Sequence, residues 1–119
     1  MRTIINLSIV FILFLFSSCV QKSYKRIVVF TLDVSNVKNV KKVGIRGEKP
    51  LSWDYDLSLK KGNDSLYKTI VTFETGYKFA KCKFTANDEF ELQNQDNRRV
   101  VFDEKNDTTF YKTTFNSLK

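Results

Sequence analysis

A chain of 119 residues carrying a formal net charge of +7 has room for one domain. It contains no His and only two Cys, which removes imidazole-based acid–base and nucleophilic catalysis and the metal sites that combine thiolate with imidazole. Its 20 basic residues are scattered among 13 acidic ones. They cluster only at Lys22-Ser23-Tyr24-Lys25-Arg26 and Lys38-Asn39-Val40-Lys41-Lys42, with no accompanying nucleic-acid motif, so a nucleic acid partner is not expected.

The N-terminus reads as a targeting segment. Met1-Arg2-Thr3 is a short positive start, Ile4 to Phe16 is apolar apart from Asn6 and Ser8, and Ser17-Ser18-Cys19 follows. The apolar run falls short of the roughly 20 residues that a bilayer span needs. Small residues directly before a Cys resemble a bacterial lipoprotein signal. That likeness implies a signal peptide over residues 1–18, a lipidated Cys19, a tether over 19–25 and a single domain over 26–119. The protein would then sit in the cell envelope, on the periplasmic or the outer face, with the membrane as a partner through Cys19. An ordinary cleaved signal and an uncleaved anchor are the alternatives. With Cys19 committed to lipid, Cys82 stands alone and no disulfide framework exists. Cys82 shares its parity with Ala80, Phe84 and Ala86, which reads as a core face rather than a reactive thiol.

Beyond the tether the chain is a series of short runs with period-two alternation, and no window shows a helical face. Arg26 to Val34 points Val28, Phe30, Leu32 and Val34 inward. Val40 to Arg46 does the same with Val43 and Ile45. Tyr55 to Lys60 alternates Tyr55, Leu57 and Leu59. Gly62-Asn63-Asp64-Ser65 is a turn. Leu66 to Glu74 alternates Tyr67, Thr69, Val71 and Phe73, and Gly76 ends it. Tyr77 to Ala86, Phe90 to Leu92, Arg99 to Asp103 and Thr108 to Phe115 follow. Seven to eight short strands with a turn about every ten residues predict an all-β fold, an immunoglobulin-like antiparallel β-sandwich.

Catalysis is poorly supplied. Carboxylates stand at Asp54, Asp56, Asp88, Glu89 and Glu91, and two would serve a glycosidase. They fall at turns and strand ends of a domain too small to hold a deep cleft, so the chain reads as no enzyme. Asn63-Asp64 and Asn106-Asp107 carry oxygens suited to calcium, yet turn formation explains them more simply. Neither metal nor cofactor is expected.

Two segments carry more specific information. Ile45-Arg46-Gly47-Glu48-Lys49-Pro50-Leu51-Ser52-Trp53-Asp54 holds the only Trp and the only Pro. Phe90-Glu91-Leu92-Gln93-Asn94-Gln95-Asp96-Asn97-Arg98-Arg99-Val100 places a Glu and an Asn-Arg pair on either side of a polar loop. Together with Val28-Val29-Phe30-Thr31-Leu32 and Cys82-Lys83-Phe84, they resemble, in order, the starch-binding domains of carbohydrate-binding module family 20. The resemblance spans most of residues 27–115. It implies a starch-binding-like sandwich in which Trp53 and Phe90 stack on glucose rings while Lys83, Glu91 and Asn97 hydrogen-bond the hydroxyls, with an α-glucan as the glycan partner. The sequence departs from the pattern where Phe90 replaces a second Trp, where Cys82 replaces an aromatic residue, and where the loop around Gln93-Asn94-Gln95-Asp96 is two residues longer. Two alternatives stand beside this reading. Trp53 is a core residue, as in many sandwiches, and Glu91, Asn97 and Arg98 form an internal loop clamp. The same fold without a sugar would be an adaptor for another envelope protein, and would show an apolar exposed patch.

Overall fold

A computed structural model describes residues 22–118; the expected signal over 1–18 and the lipidation site Cys19 lie outside the described residues. The described residues contain no helix and form a β-sandwich. Its strands are β1 (Tyr24–Asp33), β2 (Val43–Gly47), β3 (Leu57–Ser58), β4 (Lys60–Lys61), β5 (Leu66–Thr75), β6 (Phe79–Ala86), β7 (Glu89–Phe90), β8 (Arg98–Val101) and β9 (Thr108–Thr114). One sheet has the order β4-β5-β1-β9. In the other, β3-β2-β6 continues to β7 and β8, which pair with successive parts of the same edge of β6. The count exceeds seven to eight because β3, β4 and β7 are two-residue pieces.

Alternation explains the core. Val28, Phe30 and Leu32 of β1 are fully buried, as are Ile45 of β2 and Cys82 and Phe84 of β6. Phe30 lies at the centre, meeting Phe73, Phe84 and Tyr111 edge-on at centroid distances of 6.5, 5.9 and 5.8 Å. Such edge-to-face pairs add to the area term that drives burial.

Three features differ from the expected pattern. β1 begins at Tyr24, inside the segment read as tether, because Tyr24 and Lys25 continue the ladder to Thr75 and Glu74. β9 pairs with β1 in parallel, from Ile27 opposite Thr108 to Asp33 opposite Thr114; the other ladders are antiparallel. Tyr55 and Leu57 are exposed while Leu59 is buried. There the chain crosses from the β2 edge to the β5 edge, so no single inward face persists.

Truncating the central ring tests this packing. Phe30→Ala is expected to cost about 3–5 kcal/mol, read from urea denaturation. Cys82 is enclosed, and burial pushes its thiol up to about 12. At pH 8 Cys82 is therefore expected to resist iodoacetamide in the folded protein and to be alkylated only on unfolding, as peptide mapping would show.

Candidate functional site

The outward face of the β6 sheet gathers most of the polar chemistry. Gly44 and Arg46 of β2 stand opposite Thr85 and Lys83 of β6, and Thr85 stands opposite Phe90 of β7 on the other side. Arg46 organises this face. Its Nε donates to Asp56 Oδ1 at 2.7 Å, and a terminal nitrogen reaches the Trp53 carbonyl at 3.4 Å. Its guanidinium lies over the Phe90 ring, 5.0 Å from the centroid. Both partners of the Arg46–Asp56 pair are mostly covered, so their attraction is screened less than in an exposed pair. Gly44 makes the arrangement fit: a Cβ there would meet the Asp56 carboxyl at 2.6 Å.

The loop bearing Trp53 is held at its base. Gly47 N–H donates to the Ser52 carbonyl, Leu51 N–H to Glu48, and Glu48 N–H to Lys81, while the Glu48 side chain accepts from Lys81 N–H. Leu51 is buried and the Lys49–Pro50 peptide is cis. Gly47 is required here as well, because a Cβ would lie 2.5 Å from the Lys81 carbonyl oxygen. Trp53 is 39% exposed, at the surface rather than in the core.

The five expected contact residues separate into two groups. Lys83 and Phe90 belong to this face, Trp53 meets it through its backbone carbonyl, and Asn97 is exposed in the loop that closes it. Lys83 is half-buried and its Nζ donates to the Gln95 carbonyl at 3.0 Å, tying β6 to that loop. Phe90 is half-buried, and the Arg46 guanidinium covers one side of its ring. Glu91 departs from expectation. It is 0% exposed, and a carboxylate withdrawn from solvent cannot meet a sugar hydroxyl. Its Oε2 accepts from Arg98 Nε at 2.6 Å and from Phe84 N–H at 2.9 Å. Its Oε1 accepts from the Arg98 terminal nitrogen at 2.6 Å and from Asn116 N–H at 3.0 Å. The clamp alternative therefore describes Glu91 and Arg98, while Asn97 stays outside it.

Arg98 completes the clamp. It donates to Thr113 Oγ1 at 2.9 Å, to the Thr114 carbonyl at 3.0 Å and to the Tyr111 hydroxyl at 3.4 Å. Burial works against the charge, yet the Glu91 carboxylate outweighs it, with the Tyr111 hydroxyl adding to the hold, and raises the guanidinium above its ordinary pKa. Leu92 follows with φ 48°, a conformation rarely adopted by Leu; it is buried, and its N–H reaches Asn116 Oδ1 at 2.8 Å. The loop geometry around Asn97 thus begins from a fixed stem.

Sequence reasoning missed Arg46 and Asp56 as parts of the site. The parity of Arg46 with Gly44, outward from Val43 and Ile45, was a usable signal for the Arg. Asp56 offered none, since its role depends on the loop folding back over Gly44. Among the described residues no cluster of three or more His, Cys, Asp or Glu suits a metal. No helix there is long and apolar enough to cross a membrane.

Compared with known proteins, the chain matches no family model and no curated protein.

Removing one partner of the clamp leaves a buried charge unpaired. Glu91→Ala is expected to destabilise the fold by about 3–5 kcal/mol, measured by chemical denaturation. Asn97→Ala, at an exposed position, is expected to stay within about 0.5 kcal/mol of the parent.

Proposed function

We propose that the domain is a non-catalytic carbohydrate-binding module of the starch-binding type, carried by a lipid-anchored envelope protein. The observation that carries the reading is the placement of Trp53: an exposed residue on a braced loop, whose backbone carbonyl accepts from Arg46, the same guanidinium that lies over the Phe90 ring. A pyranose offers an apolar C–H face and a rim of hydroxyls. A flat ring covers the first, and Lys83, Asn97 and the loop amides at Gln93, Asn94 and Gln95 suit the second. With Glu91 turned inward, fewer polar contacts are left than the family resemblance implies. Affinity is therefore expected in the range of about 1 μM to 1 mM.

Titration with maltoheptaose tests this reading. Trp53 is the only Trp, so a saturable change in intrinsic fluorescence reports on its loop. In calorimetry, Trp53→Ala is expected to weaken binding by at least about tenfold, a loss of roughly 1.4 kcal/mol, with circular dichroism unchanged. Binding that survives this substitution would move the site elsewhere, and an absence of binding to any glycan would remove it.

A second reading is favoured by a separate observation. On the outward face of the β1 sheet, Ile70, Val29 and Phe110 stand side by side across β5, β1 and β9. Ile70 is 65% and Phe110 79% exposed. An envelope adaptor would use such an apolar row. That role predicts no fluorescence response to glycans and loss of partner association on Phe110→Glu.

A further inference from the structure

From the outward face of the β6 sheet we infer that the ligand is an acidic glycan, bearing uronate or sulfate groups, rather than a neutral glucan. The inference rests on the carbohydrate-binding reading above and changes the charge class of its ligand.

The ladders place four cations in two directly opposed pairs. Arg46 of β2 stands opposite Lys83 of β6, and Arg99 of β8 stands opposite Lys81 of β6. β2 and β8 flank β6 on opposite sides, so the four form a band across three strands. Lys81 and Lys83 are one side-chain repeat apart, about 7 Å, and neighbouring strands lie about 4.8 Å apart. Like charges placed directly opposite destabilise a sheet, so this arrangement costs the folded state something, as the Lys60–Lys68 pair does on the other sheet.

The acids at this face are Glu48, Asp54, Asp56 and Asp96, and none pairs with Lys81, Lys83 or Arg99. Asp56 is engaged with Arg46. Glu48 turns its carboxylate to the Lys81 backbone N–H rather than to the ammonium. Lys81, Lys83 and Arg99 make none of the ion pairs found among the described residues. Lys81 and Arg99 are exposed, so their charges face solvent and remain open to a ligand.

Aromatic rings hold two of these cations in place. Arg46 lies over Phe90 and Arg99 over Phe79, the latter 4.2 Å from the ring centroid. Stacking keeps a guanidinium planar against the sheet and restricts its rotamers before a ligand arrives. A polymer with one anionic group per sugar ring presents repeated charge that several cations of the band can meet, and it would still present an apolar sugar face to Trp53. Single-stranded nucleic acid shares the charge and is separated by experiment.

The test is calorimetric titration of the protein with polygalacturonate, maltoheptaose and an oligothymidylate of matched charge, at about 20 and 300 mM salt. The expected result is polygalacturonate binding at least about tenfold tighter than maltoheptaose at low salt, falling by about tenfold or more at high salt as screening takes hold. Lys81→Gln with Arg99→Gln should weaken polygalacturonate about fivefold or more. Lys60→Gln with Lys68→Gln, the same charge change on the other sheet, should leave it unaltered. Trp53→Ala should weaken it too. Maltoheptaose binding as tightly as polygalacturonate, with dependence on Trp53, would overturn the acidic ligand and leave the carbohydrate reading standing. Polyanion binding that ignores Trp53 and treats oligothymidylate alike would overturn both, as would no binding to any of the three. Melting curves for each variant separate lost binding from lost fold.

Discussion

The buried ion pair between Glu91 and Arg98 is the constraint on which the rest of the domain depends. Glu91 follows β7 and accepts from the β6 backbone at Phe84, while Arg98 opens β8 and donates to β9 at Thr113 and Thr114. One carboxylate and one guanidinium therefore join the two sheets along the edge where each would otherwise end. The pair spans residues 91 and 98, so it also closes the polar loop between them into a ring with a fixed base. Burial of two charges is expensive, and it is tolerated here because both carboxylate oxygens and all the guanidinium nitrogens have partners. Loosening this pair would free the loop that holds Lys83 and carries Asn97.

Much of the fold was legible because a strand buried on one face writes its burial into the sequence. Val28, Phe30 and Leu32, and likewise Ala80, Cys82 and Phe84, alternate and are buried as alternation dictates. Alternation also contained the correction to Glu91: if Phe90 faces outward, its neighbour must face inward. The same parity separates Arg98, beside the core residue Val100, from exposed Arg99. What could not be read was which strands meet. Nothing local tells Arg46 that Lys83 lies opposite, or β9 that it will run alongside β1 in parallel, because register is decided by the whole assembly. The exposure of Tyr55 and Leu57 was hidden for a related reason: a chain changing sheets keeps its apolar residues but loses the partner face.

Both outer surfaces of the sandwich carry cations, with Lys60 opposite Lys68 over the β1 sheet, but their apolar groups are arranged differently. Over the β6 sheet lie cations, stacked rings and the Trp53 loop; over the β1 sheet lies the row of Ile70, Val29 and Phe110. The inner faces supply the stability, which leaves each outer face free to be specialised. The Arg46–Asp56 contact has a strand-level cause: Gly44 has no side chain, and the carboxylate takes the space a side chain would fill.

The parallel ladder between β1 and β9 has a temporal consequence. β1 is an interior strand, and one of its two neighbours comes from the last part of the described chain, some eighty positions away. During synthesis, β1 and β5 can meet early, but one flank of β1 stays bare until residues beyond 107 emerge. Arg98 waits for the same segment to supply its acceptors at Thr113 and Thr114. Contacts of such long sequence separation form slowly because a large loop must close first. The domain therefore cannot lock in stages from its N-terminal end, and its completion coincides with the arrival of its final strand.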